Sequence, residues 1–208
     1  MNRFVMTAAA IIAFALATSV SAAGNAAAGK TKAAVCAACH GADGNSVNPQ
    51  FPKLAGQNAN YLVEQLQDFK SGKRRNAIMS GMAASLSVQD MQDIAAWFSS
   101  QTVQPGEANP SLVTIGQQVY RGGDRESGVP ACLACHGPDG VGNPPMKIPQ
   151  LAGQHAAYVV AQLKAYASGQ RTTDPHKMME TIASRLSDAQ MQAVASYIEG
   201  LHSTPIRP

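Results

Sequence analysis

Four cysteines occur in this chain, and they fall as two identical spacings, Cys36-Ala-Ala-Cys39-His40 and Cys132-Leu-Ala-Cys135-His136. Two thiols separated by two residues can add to the two vinyl groups on one edge of a haem, and the adjacent histidine is then placed to offer an imidazole nitrogen to the iron. Three other chemistries use the same residue types. A thioredoxin-like pair wants a βαβ context, and no period-2 strand pattern is present. A four-cysteine zinc site would join both pairs in one domain, whereas each pair here has its own following histidine. A disulfide across two intervening residues closes too short a loop to stabilise much. Covalent attachment of two haem c groups, at Cys36/Cys39 and Cys132/Cys135 with His40 and His136 as iron ligands, is the reading these residues support best.

The segments around the motifs repeat. Cys36 to Gly44 returns as Cys132 to Gly140 at an offset of 96, and Pro52-Lys-Leu-Ala-Gly-Gln57 returns as Pro149-Gln-Leu-Ala-Gly-Gln154 at 97. Tyr61, Gln65, Leu66, Ser71 and Gly72 also recur at 97, and Leu86-Ser87 with Met91-Gln92 recurs at 100. Fixed-order repetition means two homologous units, the second carrying three extra residues around Thr172 to His176. The expected division is a signal peptide at 1–22, an N-terminal domain at 23–104, a Pro/Gly-bearing linker at 105–110 and a C-terminal domain at 111–208. The leader shows a basic Asn2-Arg3 start, an Ala-rich apolar run too short to span a bilayer and a small-residue cleavage pattern at Val20-Ser21-Ala22. Export with cleavage of the leader follows from it.

Each unit reads as all-α. A first helix precedes each cysteine pair, at 25–35 and 110–121, and a middle helix spans 58–69 and 156–167. The terminal helices open on Ser87 and Ser187 as caps, with Gln190 completing a capping box and Asp90 a near variant of one. A domain of about 90 residues with three helices has a small core, which a large apolar cofactor would enlarge.

A sixth iron ligand can be sought by comparing the repeats. Met79 and Met179 each stand eight positions before the capping serine, in the loop before the last helix, whereas Met82 lies opposite Ile182 and Met178 opposite Ile78. Met79 and Met179 are therefore the candidate distal ligands; core filling is the alternative role for methionine. His176 rivals Met179 but has no counterpart in the first copy. The carbonyls of Pro52 and Pro149 are candidates to accept the second N–H of the ligating histidines, unless these prolines only stiffen turns. His155 and His202 read as surface residues.

Charge argues against one class of partner. With 16 Lys+Arg against 13 Asp+Glu and no basic run longer than Lys73-Arg74-Arg75, there is no footprint for nucleic acid. The triplet reads as a solvated loop.

The paired Cys-x-x-Cys-His-Gly stretches, Phe51-Pro-Lys-Leu-Ala-Gly-Gln57, Arg121-Gly-Gly123 and Gly153-Gln-His-Ala-Ala-Tyr158 together resemble the dihaem cytochrome c4 family over essentially the whole mature chain. The resemblance implies two tandem class I cytochrome c domains related by a pseudo-twofold axis, each three to four helices around a covalent haem, with haem propionates toward the domain interface. It implies His40/Met79 and His136/Met179 as axial pairs. It also implies a periplasmic carrier of single electrons, from a quinol-oxidising cytochrome bc complex or a dehydrogenase to a terminal oxidase, with peripheral association at the inner membrane left open. The opposing hypothesis is an enzyme in which one haem exchanges its methionine to reduce a small molecule. A methionine for each haem favours the carrier.

Overall fold

The computed structural model describes residues 24–202, so the expected signal peptide at 1–22 lies outside the described residues. The described chain is helical in two halves of matching order. The first half runs α1 (Ala26–Lys32), a 3-10 turn (Ala33–Cys36), α2 (Ala37–His40), α3 (Ala59–Ser71), α4 (Ala77–Ala84) and α5 (Val88–Ser99). The second runs α6 (Val113–Gly122), α7 (Leu133–His136), α8 (Ala156–Ala167), a 3-10 turn (Pro175–Lys177), α9 (Met178–Ala183) and α10 (Asp188–Gly200). Extended pairing among the described residues amounts to two isolated bridges, Asp124 with Val129 and Asn143 with Ile148.

In each half the last helix is the centre of the packing. α5 lies against α1 and α3, and α10 against α6 and α8. Both terminal helices start on a complete capping box, Ser87 with Asp90 and Ser187 with Gln190, so the Asp variant closes as well as the Gln one. Their apolar faces supply Ile94, Ala95 and Phe98 to one core and Met191, Val194, Ala195 and Ile198 to the other. The first helix of each half crosses its terminal helix at backbone contact. A Cβ on Gly29 would sit 1.9 Å from the Asp93 carbonyl oxygen, and one on Gly116 would sit 2.2 Å from that of Ala193. Only glycine permits this approach.

The methionine-bearing segments differ from expectation. Met79 and Met82 lie within α4, and Met178 and Met179 open α9, where the sequence suggested loop. The Asn76 side chain accepts from the Met79 N–H and starts α4, and an Ala-rich stretch with few competing side-chain hydrogen bonds then propagates the helix.

The two halves meet along a polar seam with pseudo-twofold symmetry. The Gln57 amide pairs with the Gln150 backbone, donating to its carbonyl at 2.9 Å and accepting from its N–H at 2.8 Å. Gln154 makes the same pair with Lys53, at 2.9 and 2.8 Å. Asn58 donates to the Ile148 carbonyl at 2.7 Å, and His155, at the equivalent position, lies 2.7 Å from the Ser46 carbonyl through Nε2. His155 is thus buried between the halves, not on the surface. It stands at the N-cap of α8 with its ring turned into the seam toward Ser46 and Glu199, a position visible only once the halves are joined. The 105–110 stretch is bonded down: Gly106 donates to the Glu199 carbonyl, and the Asn109 N–H to Ser196 Oγ.

Candidate functional site

The two cysteine motifs adopt one local structure. In each, a single helical turn carries the second cysteine and the histidine, the first cysteine stands at its N-cap, and a glycine with φ near +80° ends it. Pinned this way, Cys36, Cys39 and His40 project from one turn, as do Cys132, Cys135 and His136. All four thiols are free. Burial pushes the Cys36 thiol up, and that of Cys132 up to about 11. Among the described residues no three His, Cys, Asp or Glu side chains converge on a bare-metal position, so the two pairs do not form one four-cysteine cluster.

The histidines are buried, His40 at 6% exposure and His136 at 8%. Nδ1 of His40 lies 2.9 Å from the Pro52 carbonyl oxygen, and Nδ1 of His136 lies 2.9 Å from that of Pro149. A carbonyl only accepts, so each Nδ1 carries its proton and donates it, and Nε2 keeps its lone pair. Burial lowers both imidazole pKa values against the opposing carbonyl bonds, which keeps the rings neutral. A neutral, oriented imidazole with a free Nε2 is a metal ligand in waiting. Side chains from the packed helices hold each motif's loop: Trp97 Nε1 donates to the Ala42 carbonyl at 3.3 Å, and the buried Tyr120 hydroxyl to that of Gly137 at 2.7 Å.

Met79 and Met179 both sit in the first turn of their short helices and are half-buried, while Met82, Met178 and His176 are exposed. An Asx side chain takes the backbone N–H of each, Asn76 for Met79 and Asp174 for Met179. Met179 and Cys132 pack against the same core. His176 stands at φ 56° in the 3-10 turn of the second half's insertion.

The chemistry of these donors fits a haem c in each half: two free thiols on one turn for its vinyl groups, an imidazole nitrogen, and a thioether on a separate helix. Several functional-looking residues were not singled out from sequence. Arg74, read as part of a solvated triplet, instead enters the seam with Arg171, Tyr61, Tyr158, Gln65 and Gln162. The recurrence of these polar residues at one offset, 97, was the available signal.

A family model described as cytochrome c matches residues 26–102 and again 113–202. Cytochrome c4 of Pseudomonas aeruginosa is 53% identical over 182 residues, which cover 87% of this chain and 90% of that protein. A protein of Thiomonas intermedia named thiosulfate dehydrogenase electron acceptor is 42% identical, with 87% and 85% covered. The crystal structure of reduced recombinant cytochrome c4 from Pseudomonas stutzeri superposes with a TM-score of 0.84 at 49% identity, covering 86% of this chain and all of that one.

Proposed function

This chain belongs to the dihaem cytochrome c4 family, and from that premise we propose that it is a periplasmic relay carrying single electrons through two covalently bound haem c groups. Electron transfer by a two-domain cytochrome is the family's work; the particular ligands, attachment, location and partners are this proposal's content. Domains at 23–104 and 111–208, joined by 105–110, each hold one haem. Haem c supplies an iron that cycles between ferric and ferrous without making or breaking substrate bonds. Cys36 and Cys39, and Cys132 and Cys135, tether it. His40 and Met79, and His136 and Met179, would supply the nitrogen and sulfur ligands of the iron. The carbonyls of Pro52 and Pro149 fix the imidazole planes and keep the proton on Nδ1.

The observation that carries this reading is the duplicated buried imidazole, neutral and held at 2.9 Å by a proline carbonyl in both halves. A thioether and an imidazole on one iron would favour its ferrous state and leave no position for a small molecule, which supports a carrier with no substrate chemistry of its own. Donors of the cytochrome bc or dehydrogenase type and a terminal oxidase as acceptor fit such a carrier; the relative named as a thiosulfate dehydrogenase electron acceptor supports a dehydrogenase donor. Among the described residues no helix is long and apolar enough to cross a membrane. Replacing Met79 or Met179 with Ala removes the sulfur-to-iron absorption band of one haem and opens that ferrous iron to carbon monoxide. Rapid carbon monoxide binding by the unaltered ferrous protein would contradict the closed, carrier-only reading, and a band that survives either substitution would show that the wrong methionine is named.

A further inference from the structure

In each half, the carbonyl that accepts from the buried histidine belongs to a peptide group whose other end is held by the opposite half. The peptide group joining Pro52 to Lys53 takes the His40 Nδ1 proton on its oxygen at 2.9 Å, and its N–H donates to Gln154 Oε1 at 2.8 Å. The peptide group joining Pro149 to Gln150 repeats this, with its oxygen 2.9 Å from His136 Nδ1 and its N–H donating to Gln57 Oε1 at 2.8 Å. Two hydrogen bonds through one peptide group therefore connect each histidine to a glutamine of the other half.

Both glutamines are buried and fully engaged, Gln57 at 6% exposure and Gln154 at 7%. A backbone N–H only donates and a carbonyl only accepts, so the orientation of each amide is fixed: Oε1 meets the N–H, and Nε2 donates to the carbonyl of the same residue, Lys53 or Gln150, at 2.9 Å. Each Oε1 also accepts from the next N–H of its own half, Asn58 at 2.9 Å or His155 at 3.1 Å, which anchors the side chain at the start of α3 or α8. The glutamine is the same in both copies although the residue it clamps is Lys53 in one and Gln150 in the other. Its specificity is thus for the peptide group and not for a side chain. A peptide N–H that donates pushes electron density onto its own carbonyl oxygen, and in a buried, low-dielectric place the two bonds strengthen each other. The stronger acceptor pulls harder on the Nδ1 proton and leaves Nε2 a more basic ligand.

We propose that Gln154 and Gln57 are positioning residues that tune the histidine ligand of the opposite half, Gln154 acting on His40 and Gln57 on His136. This rests on the haem reading above. Each half then sets how readily the other half's iron takes an electron, by hydrogen bonds relayed through a peptide group and without a charged residue. A more basic Nε2 stabilises the ferric state, so removing the glutamine favours the ferrous one.

The test is a redox titration of the full dihaem protein followed by NMR, each haem through the resonances of its own axial histidine. Gln154→Leu keeps most of the volume and can neither accept nor donate. It is expected to raise the reduced-to-oxidised ratio of the first-half haem about threefold at a fixed applied potential, equivalent to about 28 mV for one electron, and to leave the second-half haem within about 1.5-fold. In the ferrous protein the Nδ1 proton resonance of His40 moves upfield and that of His136 stays. Gln57→Leu gives the mirror result. If Gln154→Leu does not fold, Gln154→Met and Gln57→Leu carry the experiment. An opposite-half ratio within about 1.5-fold of the unaltered protein, with the Nδ1 resonance unmoved, overturns the proposal and leaves the glutamines as links between the halves. So does a shift that falls on the haem of the substituted half, or equally on both, as general loosening of the seam would produce. A purified chain whose spectrum lacks two haems would instead refute the functional reading itself.

Discussion

Replacing Gln154 with Leu tests whether the amide pairs along the seam hold the two halves as one unit. The side chain is 7% exposed and serves three backbone groups: it donates to the Lys53 carbonyl at 2.9 Å and accepts from the N–H groups of Lys53 at 2.8 Å and His155 at 3.1 Å. Leucine keeps most of the volume, so little of the effect is a cavity. What changes is that three buried backbone groups lose their partner at once. A buried polar group left unsatisfied costs about 1–3 kcal/mol, and allowing water to reach the opened edge for some of them, the sum is about 2–4 kcal/mol. For a chain of this size that is a fall in thermal midpoint of roughly 4–16 °C. The assay is thermal unfolding followed by circular dichroism and by haem absorbance, on protein of unchanged haem content. Gln57→Leu breaks the symmetric pair, and the double variant separates the unfolding into two transitions as the halves uncouple. A Gln154→Leu midpoint within about 2 °C of the parent, with a single transition retained in the double variant, would refute the idea that these amides couple the halves.

Two further outcomes follow from the helix packing. Gly116→Ala places a methyl 2.2 Å from the Ala193 carbonyl and within 2.7 Å of Tyr197 Cβ, so α6 must lift from α10; the expected loss is about 1–3 kcal/mol, as for other overpacked cores, read by denaturant unfolding, and a change below about 0.5 kcal/mol would mean the crossing is looser than described. Acid should loosen the first half. Asp93 accepts from the Asn25 N–H, from Lys32 and from Gln89, and these bonds hold its pKa down to about 2. A depressed carboxylate pKa contributes stability that is present above the unfolded value near 4 and is lost as pH falls through 2. In that window Asp93→Asn should flatten the pH dependence of the thermal midpoint while lowering it at neutral pH, and an unchanged slope would remove Asp93 from the account.

How far the structure was readable from sequence depended on what each residue needed for its role. The cysteine turns are local: spacing puts Cys36, Cys39 and His40 on one turn whatever surrounds them, and the capping serines Ser87 and Ser187 act on backbone three residues away. The proline carbonyls were reachable by the same logic, because a buried ligating histidine needs an acceptor and the repeat shows only a few invariant ones in the following loop. The α4 and α9 segments were misjudged because their helices are short and gain little from periodicity; what starts them is an Asx cap before Met79 and a pair of left-handed residues, His176 and Lys177, before Met178.

The seam failed for a different reason. Tyr61 fits the apolar spacing of its helix and so reads as core, Gln65 one turn on has the polarity of a solvent face, and Arg74 in a run of three basic residues has the look of a loop. Each is polar because its partner is another polar face, contributed by the second copy of the same pattern. A surface whose complement is itself cannot be told from an exposed one by hydropathy, since burial there comes from assembly of the two halves and not from an apolar stripe. The retrievable signal lies in the repeat. Solvent-facing residues are free to diverge between two copies, as Asn60 and Ala157, or Gln67 and Lys164, have done. Tyr61/Tyr158, Gln65/Gln162, Arg74/Arg171 and Gln57/Gln154 are unchanged. Polar identity kept between copies, at positions that hydropathy alone would leave to water or to a loop, therefore marks a face that pairs with its own duplicate.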